Sequence, residues 1–450
     1  MRIVVHDYPG HAFPVQLSRE LARRDHKVLH LYFEEFQSPK GPLRPKPEDP
    51  SGLRIKPISL GEPFQKYSFV KRWLQEQTYG SKLVAEVEEF RPNVIIGGNS
   101  PLDPQNKLQA YARREKVGFA FWLQDVYGVA IDKILRGKLG EWLGGMVGNY
   151  YMKLERKLWR NSDQIVLITQ DFKPLLRKEG IPDHGMPVIE NWASLADLPP
   201  GPSNNPWRQE HGLVGKFVFL YSGTLGLKHN PSLLVALANT FREDPNVAIV
   251  VVTEGIGREW LAERKVAENL DNLILLPFQS YEALPDVIAT GDVLVVLLEP
   301  DAGVYSVPSK TLTYLCAKRP ILGGIPTDNL AARLIARNNA GVVVDPSDVS
   351  GFVNSAHTLL ESPELCAQMA NSARNYAEKA FDIVAIADRF EAVLQAAIDG
   401  AKADPNKPPP PAAAVEAPFP LEMPTEVETP PAMPPQNPQG NPSGRGGFNA

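Results

Sequence analysis

Gly303-Val-Tyr-Ser-Val-Pro-Ser-Lys-Thr-Leu-Thr-Tyr-Leu-Cys-Ala-Lys-Arg-Pro-Ile-Leu-Gly323 follows a run of buried-strand character, Asp292-Val-Leu-Val-Val-Leu-Leu-Glu299. Gly303 and Pro308 mark a loop, and Leu312, Leu315 and Cys316 then recur at helical spacing. Ser309 is placed to cap that helix. A second apolar strand, Ile321-Leu322, comes after Pro320. Strand, loop and helix N-terminus make a ready anion site, because the first helical amides lack intrahelical partners and the dipole is positive there. Lys310 adds a full charge at the same end. That charge opposes the dipole, a conflict that a phosphate in front of it relieves. A solvated lysine beside an ordinary cap accounts for the same residues.

The alternation extends through the second half of the chain. Phe217–Tyr221, Val247–Thr253, Leu273–Pro277, Asp292–Leu298, Ile321–Leu322 and Gly341–Val344 read as short apolar strands between helical stretches. Such strands belong in a parallel sheet covered on both faces, and these sheets bind ligands at the carboxyl ends of their strands. One strand-end loop, Ser222-Gly-Thr-Leu-Gly-Leu-Lys-His-Asn-Pro231, sets glycines and Lys228 before a helix, with Pro231 at its first position. Another is Glu254-Gly-Ile-Gly257. The first is neither a Walker loop nor a GxGxxG. Together with Gly303–Lys310 they form three loops, two carrying lysines, suited to surround one diphosphate. No acidic pair resembles a metal–diphosphate site, so the expectation is that lysines and helix amides neutralise the leaving group.

The first half has the same grammar. Arg2–Val5, Lys27–Phe33, Asn93–Ile96, Gly118–Leu123 and Gln164–Ile168 read as strands, the first two flanking an amphipathic helix through Leu17, Leu21 and Ala22. His6–His11, Gly97–Ser100 and Gln124-Asp125 are its strand-end loops. Gly10 allows backbone to approach a ligand closely, or simply makes a turn. Asp125 reads as a general base, a sugar-hydroxyl acceptor or a helix cap; His11 reads as functional or as a loop residue. Pro187–Trp192 reads as a strand, and Leu198–Pro206 as a linker. Before both, Ile131–Arg160 mixes Trp142, Tyr150, Tyr151 and Trp159 with seven Lys or Arg against three acids. That mixture suits a helix at a membrane interface, and equally one packed on its own domain.

A length of 450 residues predicts two or three domains. A net charge of -5 with mixed signs offers no bulk electrostatic case for nucleic acid. Two cysteines, Cys316 and Cys366, argue against a disulfide scaffold. Met1–Gly10 reads as a first strand and not a signal peptide, and no uninterrupted apolar window suits a spanning helix. The expected location is cytoplasmic, or peripheral at the inner face of the membrane. Residues 401–450 hold 14 of the 43 prolines and a Gly-rich end, too little apolar surface to order itself. They read as a disordered tail, whether tether, ligand for a proline-recognising partner, or dispensable extension.

In order along the chain stand Gln124-Asp125, Ser162-Asp-Gln-Ile-Val-Leu-Ile-Thr169, Val188-Ile-Glu-Asn-Trp-Ala193, Tyr221-Ser-Gly-Thr-Leu-Gly226, Glu254-Gly255, Asn272–Phe278, and Val307–Ala317 before Arg319-Pro320. On this series the chain, from Met1 to about Gly400, resembles the retaining family-four glycosyltransferases of GT-B architecture, especially the branch of bacterial exopolysaccharide and capsule pathways. The resemblance implies an α/β fold of two doubly wound Rossmann-like domains facing a cleft, followed by the disordered Pro-rich tail. It implies an acceptor-binding domain over 1–195, with 383–399 crossing back to it, and a nucleotide-sugar-binding domain over 212–382. Implied too is transfer of a hexose-type sugar from a nucleotide sugar to a glycan or polyprenyl-linked acceptor, without metal or cofactor. Lys228, Lys310 and Asp125 are then the catalytic candidates, and Gly10, Gly223, Thr224, Glu254, Gly303, Ser309 and Thr313 line the donor.

The pattern also departs from the family. Where it often has two glutamates eight apart, Tyr305 and Thr313 stand here, and Thr313 offers the nucleotide ribose only a hydroxyl. Its glycine-loop arginine is replaced by Thr224, while Lys228 falls near its lysine. Two other classes fit less well. A nucleotide-sugar 2-epimerase needs carboxylates and histidines around the sugar, and no clear set is present. A non-enzymatic partner or inactive relative would use the Pro-rich tail as its working part. Because 401–450 is compositionally unable to pack, its deletion is expected to leave Tm and donor binding unchanged in a thermal-shift titration. A drop of several degrees would show that it packs on the body.

Overall fold

Six runs of apolar residues in the first half pair side by side. They are β1 (Arg2–Asp7), β2 (Lys27–Phe33), β3 (Leu53–Ile58), β4 (Val94–Gly98), β5 (Gly118–Leu123) and β6 (Gln164–Leu167), all parallel, in the order β3-β2-β1-β4-β5-β6. The computed structural model describes residues 1–37, 40–65, 68–226, 229–300 and 308–402. A second parallel sheet holds β7 (Phe217–Ser222), β8 (Val247–Val252), β9 (Leu273–Leu276), β10 (Val293–Leu297), β11 (Ile321–Gly324) and β12 (Gly341–Val344), in the order β12-β11-β10-β7-β8-β9. The two doubly wound sheets expected from the sequence are therefore both formed. Strands β4, β5, β8 and β10 are buried along their whole length, as residues apolar on both sides require.

In each sheet the strand order reverses beside the first strand, between β1 and β4 and between β7 and β10. In parallel sheets of this kind, ligands bind at the carboxyl ends of the strands flanking that reversal. At the amino end of the second sheet, by contrast, buried Arg208 donates to Asp292 at 3.1 Å and to the Thr290 carbonyl at 3.1 Å.

One local reading needs correction, and one strand was not expected. Pro187–Trp192 is not a strand: only Val188 bridges to Leu167, through Leu167 N–H to the Pro187 carbonyl (2.9 Å) and Ile189 N–H to the Leu167 carbonyl (2.8 Å). The chain then leaves the sheet because Trp192 is drawn into the core, 2% exposed. Conversely β3 pairs with β2 although Arg54, Lys56 and Pro57 interrupt its apolar pattern. It is an edge strand, where charges and proline are tolerated.

The first sheet carries α1 (Ala12–Arg23), α2 (Phe69–Phe90) and α3 (Leu102–Glu115), and the final helix, Ile383–Lys402, packs on its β5, β4 and β6 and on α1. A Cβ on Gly118 would meet its backbone at Ala397 and Ile398, 2.8 Å away. Its Phe390 closes on Trp122 of β5 at 4.9 Å and on Trp192 at 6.0 Å, and those two indoles stack at 5.7 Å. Among the described residues no helix is long and apolar enough to cross a membrane.

Two histidines lie inside the first sheet's core. His6 bonds the Tyr79 hydroxyl at 2.9 Å and His30 bonds Ser18 Oγ at 2.9 Å. Burial holds His6 down to about 3 and His30 down to about 4, so both fold as neutral rings. A histidine with a lowered folded-state pKa contributes stability above its unfolded value of about 6.5 and loses it as pH falls below. Urea unfolding should therefore show stability falling from pH 7 to pH 5 by about 2 kcal/mol for each of them. His30→Asn is expected to flatten part of that slope; an unchanged slope would mean the ring is charged in the fold.

Candidate active site

The clearest constellation sits at the reversal point of the second sheet. The helix Ser309–Cys316 follows β10, and its Lys310 reaches across to the end of β7. Lys310 Nζ donates to the Tyr221 hydroxyl at 2.5 Å and lies 4.2 Å from the centre of the Tyr221 ring. It also approaches the Thr224 carbonyl at 3.4 Å, and the Tyr221 hydroxyl donates to that same carbonyl at 2.8 Å. One turn further along the helix, the Tyr314 hydroxyl accepts from Ser222 N–H at 2.8 Å and donates to the Ser222 carbonyl at 3.2 Å. Lys310 and Tyr314 are thus i and i+4 on one helix face, both fastened to the loop after β7. Tyr221 is fully buried, which raises its pKa far above the usual phenol range and keeps it a neutral acceptor for the ammonium.

Gly223 has φ +132, and a Cβ there would stand 3.2 Å from Lys310 Cε. The loop after β8 joins the same cluster. Gly255 turns with φ +84, and Gly257 packs so closely on the backbone and side chain of Leu225 that a Cβ would overlap both. Glu254 is exposed at this end, accepting from Phe278 N–H at 3.3 Å. Gly223, Thr224, Glu254, Ser309, Lys310 and half-buried Thr313 consequently lie on adjoining loops and one helix start. Ser309 is the first helical residue and not the cap; extended Pro308 holds that position, its carbonyl accepting from Thr311 N–H at 3.0 Å. Likewise Pro231 precedes the helix Ser232–Thr240 as its cap residue. Lys228, Gly303 and Tyr305 lie outside the described residues.

The reversal point of the first sheet carries a second polar cluster. Asp7, 1% exposed at the end of β1, accepts from Asn99 Nδ2 at 2.8 Å and from His11 N–H. The His11 ring, about one-third exposed, stands 3.6 Å from the Asp7 carboxylate. Burial opposes ionisation of Asp7, but the charge and hydrogen bond of His11, with Asn99, hold it below the usual carboxylate range. Gly10 turns with φ +78 against Leu43 and Tyr32, so packing alone already requires a glycine there. Asp125 follows β5. It is not the cap of the next helix, α4 (Tyr127–Arg160): Val126 holds the cap position, and Glu155 accepts from the N–H groups of Tyr127 (2.8 Å) and Gly128 (2.9 Å). Burial pushes Glu155 up to about 7. Gln124 and Asn191 exchange side-chain amide bonds, tying β5 to the segment that leads into the second domain.

Sequence reading missed Tyr221, Tyr314 and the Asp7–Asn99 pair. The i, i+4 spacing of Lys310 and Tyr314 was the available signal for the first group. Asp7 and Asn99 lie 92 positions apart, and only the pairing of β1 with β4 brings them together.

Residues 203–376 match the family model of glycosyl transferases group 1. The chain's second domain is thus a group 1, family-four-like glycosyltransferase domain, and its two parallel-sheet domains have the GT-B fold. Among curated relatives it is 24% identical over 298 residues to the colanic acid biosynthesis glycosyl transferase WcaI of Escherichia coli (strain K12), covering 65% of this chain and 71% of that one. It is 23% identical to the alpha-D-kanosaminyltransferase of Streptomyces kanamyceticus over 42% of this chain and 48% of the other. Among solved structures, Anabaena HepE in complex with UDP superimposes with TM-score 0.63 at 16% identity, over 88% of this chain and 100% of that one. WaaG, a glycosyltransferase of lipopolysaccharide biosynthesis, does so with TM-score 0.61 at 15% identity, over 90% and 100%.

Gly223→Ala tests the β7 loop. A side chain at that φ costs about 1–2 kcal/mol of backbone strain, and its Cβ displaces the Lys310 stem. The expected result is a Tm lowered by a few degrees and donor affinity weakened at least tenfold. Wild-type donor affinity in a calorimetric titration would remove this loop from the site.

Proposed function

We propose that the protein transfers a hexose-type sugar from a nucleotide-sugar donor to a glycan or polyprenyl-linked acceptor in the assembly of a polysaccharide. The observation that carries this is the convergence of Lys310, the start of its helix, and the glycine loops after β7 and β8 at the reversal point of the second sheet. Helix amides and an ammonium group at one strand end suit a diphosphate. The reading is supported by Anabaena HepE, solved with UDP and with UDP-glucose, and by WcaI, named for colanic acid biosynthesis.

As the glycosidic bond breaks, negative charge grows on the leaving phosphate. A cation held in place stabilises that state more than the bound donor, which is how it accelerates transfer. Lys310 fills this role from its seat on Tyr221, and Lys228 shares it from the β7 loop. Thr224, Ser309, Thr313 and Glu254 offer hydroxyls and a carboxylate to the nucleotide and sugar. Asp125, from the first domain, takes a proton from the acceptor or accepts a hydrogen bond from a hydroxyl of the donor sugar. Retention of anomeric configuration and independence from metal follow the family resemblance.

Thermal-shift screening of UDP-, GDP- and ADP-sugars should identify one donor that stabilises the protein. With that donor, Lys310→Ala and Lys228→Ala should each lose about 10² to 10³ in kcat while keeping wild-type Tm. The double variant should lose less than the product, since both act on one charge. Alanine variants with wild-type turnover would return both lysines to solvated helix ends, and an inverted product anomer by NMR would overturn the retaining assignment.

A further inference from the structure

Exposed apolar side chains are not scattered over this protein. Of fourteen large apolar residues exposed among the described ones, nine lie in two neighbouring segments. One is the start of α2 (Phe69–Phe90), with Phe69, Val70, Trp73 and Leu74 outward. The other is α4, where Trp142 is 74% exposed and Leu143, Met146 and Tyr150 are more than half exposed. A shallow groove joins them, lined by Phe69 and Trp73 on one side and Met146 and Tyr150 on the other. A concentration of this kind on one face marks an interaction surface.

The cause lies in the backbone of α4. Gly140, with φ +78, breaks it into two arms, residues 127–139 and 141–160, that turn back on each other. The seam between them is made of glycines: a Cβ on Gly144 would overlap the Leu135 backbone, one on Gly148 would overlap Asp132, and one on Gly128 would stand 3.1 Å from Met152 Cα. Glu155 latches the arms through the amides of Tyr127 and Gly128. Glycines inside leave the large apolar residues outside, the reverse of what water favours.

Charge follows the same face. On the returning arm Trp142, Met146, Tyr150, Lys153 and Lys157 recur at helical spacing, and both lysines are exposed. Lys71 stands exposed among the apolar residues of α2. Lys153 lies about 16 Å behind Trp142 along the arm. A tip sunk to the headgroup boundary therefore leaves the ammonium groups at the level of lipid phosphates.

We propose that the hairpin tip and the start of α2 dock the protein on an anionic lipid bilayer, with Trp142, Met146, Phe69 and Trp73 entering the acyl–headgroup boundary and Lys71, Lys153 and Lys157 meeting phosphates. The surface extends beyond the basic–aromatic segment singled out in the sequence to a second helix. It does not depend on the assignment of the donor site.

The test uses the full chain with vesicles of phosphatidylglycerol and phosphatidylcholine in equal parts, or of phosphatidylcholine alone. Wild type should sediment with the anionic vesicles, be released by high salt, and show tryptophan quenching by brominated acyl chains. Trp142→Ser with Met146→Ser, both at exposed positions, should weaken binding about tenfold or more and reduce the quenching to what Trp73 contributes, at unchanged Tm. Lys153→Glu with Lys157→Glu should weaken binding by a similar factor, as two charges near an anionic surface are worth about 1 kcal/mol each. Sedimentation unaffected by the apolar pair would overturn the proposal. So would wild type that dimerises without vesicles and becomes monomeric in that variant, since the face would then belong to a second copy.

Discussion

Three aromatic rings from remote parts of the chain hold this molecule in one arrangement: Trp122 of β5, Trp192 of the segment between the domains, and Phe390 of the last helix. Phe13 of α1 packs edge-on against both indoles, at 5.3 and 5.4 Å. Each such pair contributes about 0.5–1.5 kcal/mol beyond the area it buries. The cluster lies where the chain leaves the first domain, and Trp192 is further held by its indole N–H donating to Gln16 Oε1 at 2.8 Å. Arg333 of the second domain pairs with Asp171 of the first, and Arg374 donates to the carbonyls of Leu198 and Cys316. The segment that leads to the second sheet is thus anchored by aromatic packing in the first.

Within that frame, function is a matter of strand ends. Both sheets are parallel and covered, so polar chemistry has no room along the strands and collects where they stop. At each reversal point a first strand and a fourth strand bring residues remote in sequence into bonding range: Asp7 with Asn99, and Tyr221 with Lys310. The two clusters differ in sign. The first presents a buried carboxylate with an imidazole, the second an ammonium on a neutral phenol. A carboxylate suits a hydroxyl group and an ammonium suits an anion.

Much of the fold was legible because the strands are short, apolar on both sides and separated by helices. What escaped was decided by tertiary context. β3 carries Arg54, Lys56 and Pro57 and resembles a loop until β2 offers it an edge. Pro187–Trp192 is apolar enough for a strand, yet the core takes Trp192 first. In the site, Lys310 and the glycine loops announced themselves through charge and spacing. Tyr221 and Tyr314 did not, because a tyrosine in an apolar run reads as core, and only the distances reveal which hydroxyl is used. The outward face of α2 was hidden for a similar reason: Phe69, Val70, Trp73 and Leu74 have the spacing of residues turned inward.

The seating of the last helix bears on how the chain is made. Gly118 of β5 is bare so that the backbone at Ala397 and Ile398 can lie against it, and no earlier segment fills that place. During synthesis from the amino end, the part of the first sheet over β4, β5 and β6 must wait uncovered on one face while the entire second domain emerges. The domain that begins the chain is therefore the last to be completed, and until Ile383–Lys402 arrives its apolar face is the part of the nascent protein most in need of shelter.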